Sequence, residues 1–292
     1  MAVTVRCCWP LGAWLGEGPV WSARDGALWF VDIKGRRLHR YDPLNGERRS
    51  FTAPGQCGFL VPSADGRFVA GLQGGLHRFD PATGAFTLLV AVEKDRPGNR
   101  LNDAAVDPDG HLWFGSMDDA EARPTGVFYR LDADGQVRPR GRRCAITNGP
   151  AFSPDGRTGY FVDTLARQVW ACAVDAQGQL GEHRLFATVE DGAGFPDGPA
   201  VDEDGHLWIG LYGGWSARRY APDGALVDTI RFPVANVTKL AFGGADGRTL
   251  FATTAAQRLG VPELARQPLA GGLFTWPAPV RGLPGVAVRH GL

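Results

Sequence analysis

Residues 104–115 read Ala104-Ala105-Val106-Asp107-Pro108-Asp109-Gly110-His111-Leu112-Trp113-Phe114-Gly115. Two short apolar runs flank a Pro-Asp-Gly turn, in which glycine supplies a positive φ. Such a pattern is a pair of antiparallel strands joined by a tight turn. The Asp-Gly turn with its apolar or aromatic sequel returns at Asp25-Gly26, Asp65-Gly66, Asp155-Gly156, Asp204-Gly205 and Asp246-Gly247. Subtracting the Asp numbers in chain order gives spacings of 40, 44, 46, 49 and 42 residues. A period in the forties built from strands predicts a β-propeller with four-stranded blades, and six copies predict six blades around a central channel. Within residues 102–137, Ala104–Val106 reads as the innermost strand, His111–Gly115 as the second and Val127–Leu131 as the third, with an outer strand from Gln136. Leu273-Phe274-Thr275-Trp276 reads as the last copy of the third strand, and the run Val3–Trp9 is expected to pair beside it and close the ring.

No linker or low-complexity stretch divides the 292 residues, so one propeller domain over residues 1–292 is expected. Apolar residues make up 44%, enough for a large core. Cations and anions balance at 31 each, which argues against a nucleic-acid partner. Nothing near 18 consecutive apolar residues occurs, so no membrane span is expected. The N-terminus lacks the apolar core of a signal peptide. The five cysteines have no CxxC spacing and read as reduced thiols. A cytoplasmic monomer is the expectation.

The repeat also aligns equivalent residues. Counting back seven from each turn Asp gives Gly58, Asn102, Asn148, Asp197 and Lys239; the longer first turn gives Glu17 at eight. Three of these share a sequel: Glu17-Gly18-Pro19, Asn148-Gly149-Pro150 and Asp197-Gly198-Pro199. Equivalent positions at the mouth of a propeller converge on its axis. Glu17, Asn148 and Asp197 are therefore expected at one spot, where two carboxylates repel unless a cation lies between them. Their oxygens are hard donors suited to one divalent ion: Ca²⁺, Mg²⁺ or Mn²⁺, with Fe²⁺ and Zn²⁺ admissible. With three protein ligands, positions remain for water or substrate, as in a catalytic site. The bland reading of each residue alone is a turn position, since Asn-Gly and Asp-Gly mark turns.

Four segments, Leu15-Gly16-Glu17-Gly18-Pro19, Arg100-Leu101-Asn102-Asp103, Ile146-Thr147-Asn148-Gly149-Pro150 and Phe195-Pro196-Asp197-Gly198, resemble those of the SMP-30/gluconolactonase family. The likeness spans essentially the whole chain. It implies a six-bladed propeller that holds one divalent metal and hydrolyses a sugar-acid lactone. It implies metal ligation by Glu17, Asn148 and Asp197, and substrate binding by Arg100, Asn102 and an acidic lid residue. That residue is assigned to Glu121, with Asp118 and Asp119 beside it. The resemblance, with the position of Asp197, implies that its carboxylate is the general base; the alternative keeps Asp197 as a metal ligand only.

Strand ends on the same face add Asp32, Lys34, Gln73, Ser116, Met117, Asp118, Asp163, Thr164, Tyr212 and Thr253 to the mouth. This polar rim, with Tyr212 as its aromatic, suits a polyol, and residues 117–125 form its longest insertion, a candidate lid. Lys239 is expected either to bind a substrate oxygen or to balance Glu17 and Asp197. Gly58 is expected to leave room for substrate. The expected partner is thus a small sugar lactone (xylono-, arabinono-, galactono- or gluconolactone). The competing readings are a propeller that only binds a ligand or protein, and a metal-dependent esterase or phosphotriesterase with a more apolar pocket.

Overall fold

The computed structural model describes residues 4–292. It is a propeller-like, all-β fold with one short helix, α1 (Val261–Arg266). The first strand, β1 (Arg6–Trp9), is held back for closure. Next come β2 (Gly16–Ser22), β3 (Ala27–Asp32), β4 (Arg37–Tyr41) and β5 (Arg48–Thr52), which form an antiparallel sheet in chain order. The same order repeats in β6 (Cys57–Pro62) to β9 (Ala85–Ala91), with β7 (Phe68–Leu72) and β8 (Gly75–Asp80) between them. The third sheet has β10 (Asn99–Val106), β11 (Leu112–Asp118), β12 (Gly126–Leu131) and β13 (Val137–Cys144). The fourth has β14 (Thr147–Phe152), β15 (Thr158–Asp163), β16 (Gln168–Ala173) and β17 (Arg184–Thr188).

The remaining strands form one eight-stranded sheet, where two separate sheets were expected. One half is β18 (Phe195–Val201), β19 (Leu207–Tyr212), β20 (Ser216–Tyr220) and β21 (Leu226–Arg231). The other half is β22 (Val237–Gly243), β23 (Thr249–Thr254), β24 (Leu273–Pro277) and β1. The halves meet through a parallel pairing of Gly198 with Lys239. The expected closure is present: β1 pairs antiparallel with β24, Arg6 opposite Thr275. Val3 lies outside the described residues.

The innermost strands share a feature that repeat counting did not reveal. Each slips register at the aligned position: between Glu17 and Val20, Cys57 and Phe59, Leu101 and Ala104, Asn148 and Ala151, Pro196 and Pro199, and Val237 and Leu240. A bulge interrupts the ladder and re-aims side chains. The prolines at 19 and 150 fall inside these breaks, where a missing N–H interrupts no regular pairing.

The apolar cores lie between neighbouring sheets. Strand β3 is buried at every position, and its residues Ala27–Asp32 accordingly read as a nearly continuous apolar run. Trp29, Trp113 and Trp208 are almost fully buried at equivalent second-strand positions. Each indole N–H donates to a carboxylate at the preceding turn: Asp25 at 3.1 Å, Asp107 at 2.8 Å and Asp202 at 2.9 Å. Asp202 also accepts from the His206 amide at 2.9 Å and from Arg219 Nη2 at 2.7 Å. Asp202→Ala leaves the indole and the guanidinium without their buried partner. We expect it to lower unfolding free energy by about 3–5 kcal/mol, read by chemical denaturation.

Candidate active site

One cavity at the mouth is lined by Glu17, Arg100, Asn102, Glu121, Asn148, Asp197 and Tyr212, seven of the eight expected site residues. Four of them stand at or beside the bulges of β2, β10, β14 and β18. The bulge brings Glu17, Asn102, Asn148 and Asp197 to the axis from four different sheets. All four are buried.

A chain of hydrogen bonds orients the amides. Asp119 accepts from Arg100 Nε at 2.8 Å, and Arg100 Nη1 donates to Asn102 Oδ1 at 2.6 Å. Asn102 Nδ2 donates to Thr147 O at 2.6 Å and to Asn148 Oδ1 at 3.1 Å. Asn148 Nδ2 donates to Thr164 Oγ1 at 2.9 Å. The partners on each nitrogen therefore fix which atom of Asn148 is the oxygen. Asn102 Oδ1 accepts from Arg100 and keeps one lone pair free.

The carboxylates are treated differently. Glu17 Oε2 accepts from the Gly18 amide at 2.8 Å, while Asp197 has the Glu17 carboxyl as its side-chain hydrogen-bond neighbour. Burial, followed by the charge of Asp103, pushes the Glu17 carboxyl up to about 7. Burial and the neighbouring Glu17 charge raise Asp197 well above the carboxylate range. Two buried carboxylates with spare lone pairs and an amide oxygen form a hard-oxygen set that fits a divalent cation. No group of three His, Cys, Asp or Glu side chains gathers among the described residues, and Asn148 adds an amide oxygen beside the two carboxylates in the cavity.

The raised Glu17 value carries a pH prediction. Its folded-state pKa, about 7, lies above the ordinary 4.5, so the folded chain holds more protons between these values. Stability of chelator-treated protein should therefore fall as pH rises from about 4.5 to about 7. Melting curves with EDTA across that range test this. Excess divalent ion should remove the slope at its alkaline end.

The structure departs from the sequence reading at several points. The Lys239 ammonium turns away from the mouth cavity, donating to Asp103 Oδ1 and to Ala104 O. Its direct partner is Asp103, and its charge also lowers the proton affinity of Glu17 and Asp197. Gly58 leaves no room for substrate, because a Cβ there would lie 2.3 Å from Leu101 O. The glycine serves the close approach of β10. Asp118 turns inward to hold the amides of Ala122 and Arg123, and Asp119 stands behind Arg100 with Lys34 and Gln56. Asp32 accepts from the Trp14, Leu15 and Gly35 amides instead of facing the mouth.

Met117 and Thr164 reach the cavity as expected. Sequence reasoning missed Arg258, which lines the cavity and forms an ion pair with Glu121 across the mouth. It also missed Gln257, whose carbonyl accepts from the Tyr212 hydroxyl at 2.9 Å. Both lie in the segment after β23, where no repeat signal marks them.

A family model described as the SMP-30/gluconolactonase/LRE-like region matches residues 15–256. An L-arabinolactonase of Azospirillum brasilense is 39% identical over 265 residues, 89% of this chain and 87% of the relative. A 6-deoxy-6-sulfogluconolactonase of Pseudomonas putida is 34% identical, over 94% of both chains. A crystal structure of a calcium-binding protein, regucalcin, from Agrobacterium tumefaciens superposes with a TM-score of 0.94 at 31% identity, covering 99% of this chain and 98% of that one.

Proposed function

Because this chain belongs to the SMP-30/gluconolactonase/LRE-like family, we propose that it is a metal-dependent hydrolase of a sugar-acid lactone, an aldonolactone opened to its acid. The observation that carries this reading is the meeting of Glu17, Asn148 and Asp197 in one cavity with Arg100 and Asn102. Relatives named as lactonases of arabinose and sulfogluconate supply the substrate class. The relative described as calcium-binding supports a divalent cation, for which the donor set allows Ca²⁺, Mg²⁺, Mn²⁺, Fe²⁺ or Zn²⁺. We also infer six blades, counting the eight-stranded sheet as two blades joined through one pairing.

Glu17, Asn148 and Asp197 would hold the ion. Bound there, it would polarise the lactone carbonyl and stabilise the charge that develops on its oxygen. The chain supplies the rest. Arg100 is fixed by Asp119 and Asn102, and so offers its remaining N–H groups in one direction. Asn102, Glu121 and Tyr212 face the same cavity and suit the hydroxyls of a sugar ring. Asp197 takes the proton of the attacking water, whose oxygen bonds to the carbonyl carbon. The ring C–O bond then breaks, and the leaving oxygen picks up a proton to become a hydroxyl.

The test is a rate comparison across xylono-, arabinono-, galactono- and gluconolactones, with metal analysis of the purified chain. At least one lactone should turn over, with the rate abolished by EDTA and restored by a divalent ion. Full turnover of metal-free protein would remove the metal from the mechanism.

A further inference from the structure

Behind the mouth lies a second charged pair, neither member of which lines the mouth cavity. Asp103 follows Asn102 in the β10 bulge and is 2% exposed. Its Oδ2 accepts from the Gly149 amide at 2.7 Å, and its Oδ1 from the Ala104 amide at 2.8 Å. The Lys239 ammonium completes the set on Oδ1 and also donates to Ala104 O at 3.1 Å. Lys239 arrives from β22 on the far side of the axis. Its stem fills the space over Gly198, where a Cβ would lie 2.5 Å from Lys239 Cγ. The ammonium thus reaches past Asp197 and crosses the channel to a carboxylate beside Asn102. Lys239 also lines the wide chamber at the other end of the channel, with Pro19, Pro150 and Pro199, and so stands between the two openings.

The charge count follows from this placement. Glu17, Asp103 and Asp197 are three buried acidic groups around one axis, and a single divalent ion cannot balance three negative charges. We propose that Lys239 is a built-in cation: by neutralising Asp103 it leaves two negative charges, those of Glu17 and Asp197, facing one divalent ion. The pair also positions Asn148, since Asp103 anchors the Gly149 amide next to it. Asp103 pushes the proton affinity of Glu17 and Asp197 up, and Lys239 pulls both down, as this placement requires.

The inference rests on reading the trio as a metal centre, and the experiment separates the two. Chelator-treated protein is titrated with Mn²⁺ in a calorimeter, for the unmodified chain, Lys239→Met, Asp103→Asn and the double variant. Lys239→Met leaves Asp103 as an extra negative charge, so affinity should rise about tenfold or more. Asp103→Asn leaves an unpaired ammonium, so affinity should fall about tenfold or more. The double variant removes both charges and should return close to the unmodified affinity. Damage to the scaffold alone would weaken binding in both single variants, and that result overturns the proposal. So does an unchanged affinity in all variants. Should the single variants fail to fold, the double variant decides: near-normal affinity supports the charge balance, and lost affinity refutes it. Absence of Mn²⁺ binding by the unmodified chain would instead overturn the metal centre itself.

Discussion

Asp197→Asn should weaken ion binding, as loss of an anionic donor requires, and should still lose about 10²–10⁴ in kcat when the ion is supplied at saturation, the usual range for removal of a general base. The amide preserves size and an oxygen donor but cannot take the proton of the attacking water. Coordination to a cation lowers the proton affinity of a carboxylate and so weakens it as a base. The structure supplies an opposing influence: burial and the Glu17 charge both raise Asp197. That influence belongs to the ion-free site, where no cation offsets the Glu17 charge. Pre-steady-state or steady-state turnover at saturating ion, with metal content measured on the same samples, is the check. Near-normal kcat would reduce Asp197 to a ligand.

Glu17→Gln should weaken divalent-ion binding by about 100-fold or more, because one of two anionic donors is lost from a hard-cation site. Turnover at limiting ion should collapse and recover as ion is added in excess. The same substitution has an opposite effect on the metal-free chain. There Glu17 and Asp197 are buried together without a bound cation between them, and the Glu17 charge raises Asp197. Neutralising one relieves that repulsion, so EDTA-treated Glu17→Gln should melt above the EDTA-treated parent at pH 8. Two readouts with opposite signs distinguish loss of a ligand from general damage. A variant that binds the ion normally would remove Glu17 from the metal centre.

The repeat of Asp-Gly turns was legible because a tight turn needs particular residues at particular places. It located the inner strands and, by counting, the ring of Glu17, Asn102, Asn148 and Asp197. Its weakness is that a ring position says where a Cα lies and not where a long side chain goes. Lys239 occupies the ring by count, yet its ammonium leaves the mouth for Asp103. Asp103 itself escaped notice because it sits one residue beyond the counted position. Gly58 looked like open space, although the β10 backbone fills it.

From the sequence alone came the propeller architecture, the closure of β1 onto the last sheet, and the trio with two carboxylates and an amide. These follow from local chemistry repeated at a fixed period, which any single copy would leave ambiguous. Tertiary structure alone decided the rest. The bulges that turn the ring residues inward exist only when neighbouring strands pair, so no residue type announces them. The orientation of the Asn148 oxygen depends on Asn102 and Thr164, contacts made from two different sheets and a loop. The Glu121–Arg258 pair joins residues far apart in the chain. Charge balance on the axis is likewise a property of side chains crossing the channel, and a linear sequence carries no distance between them.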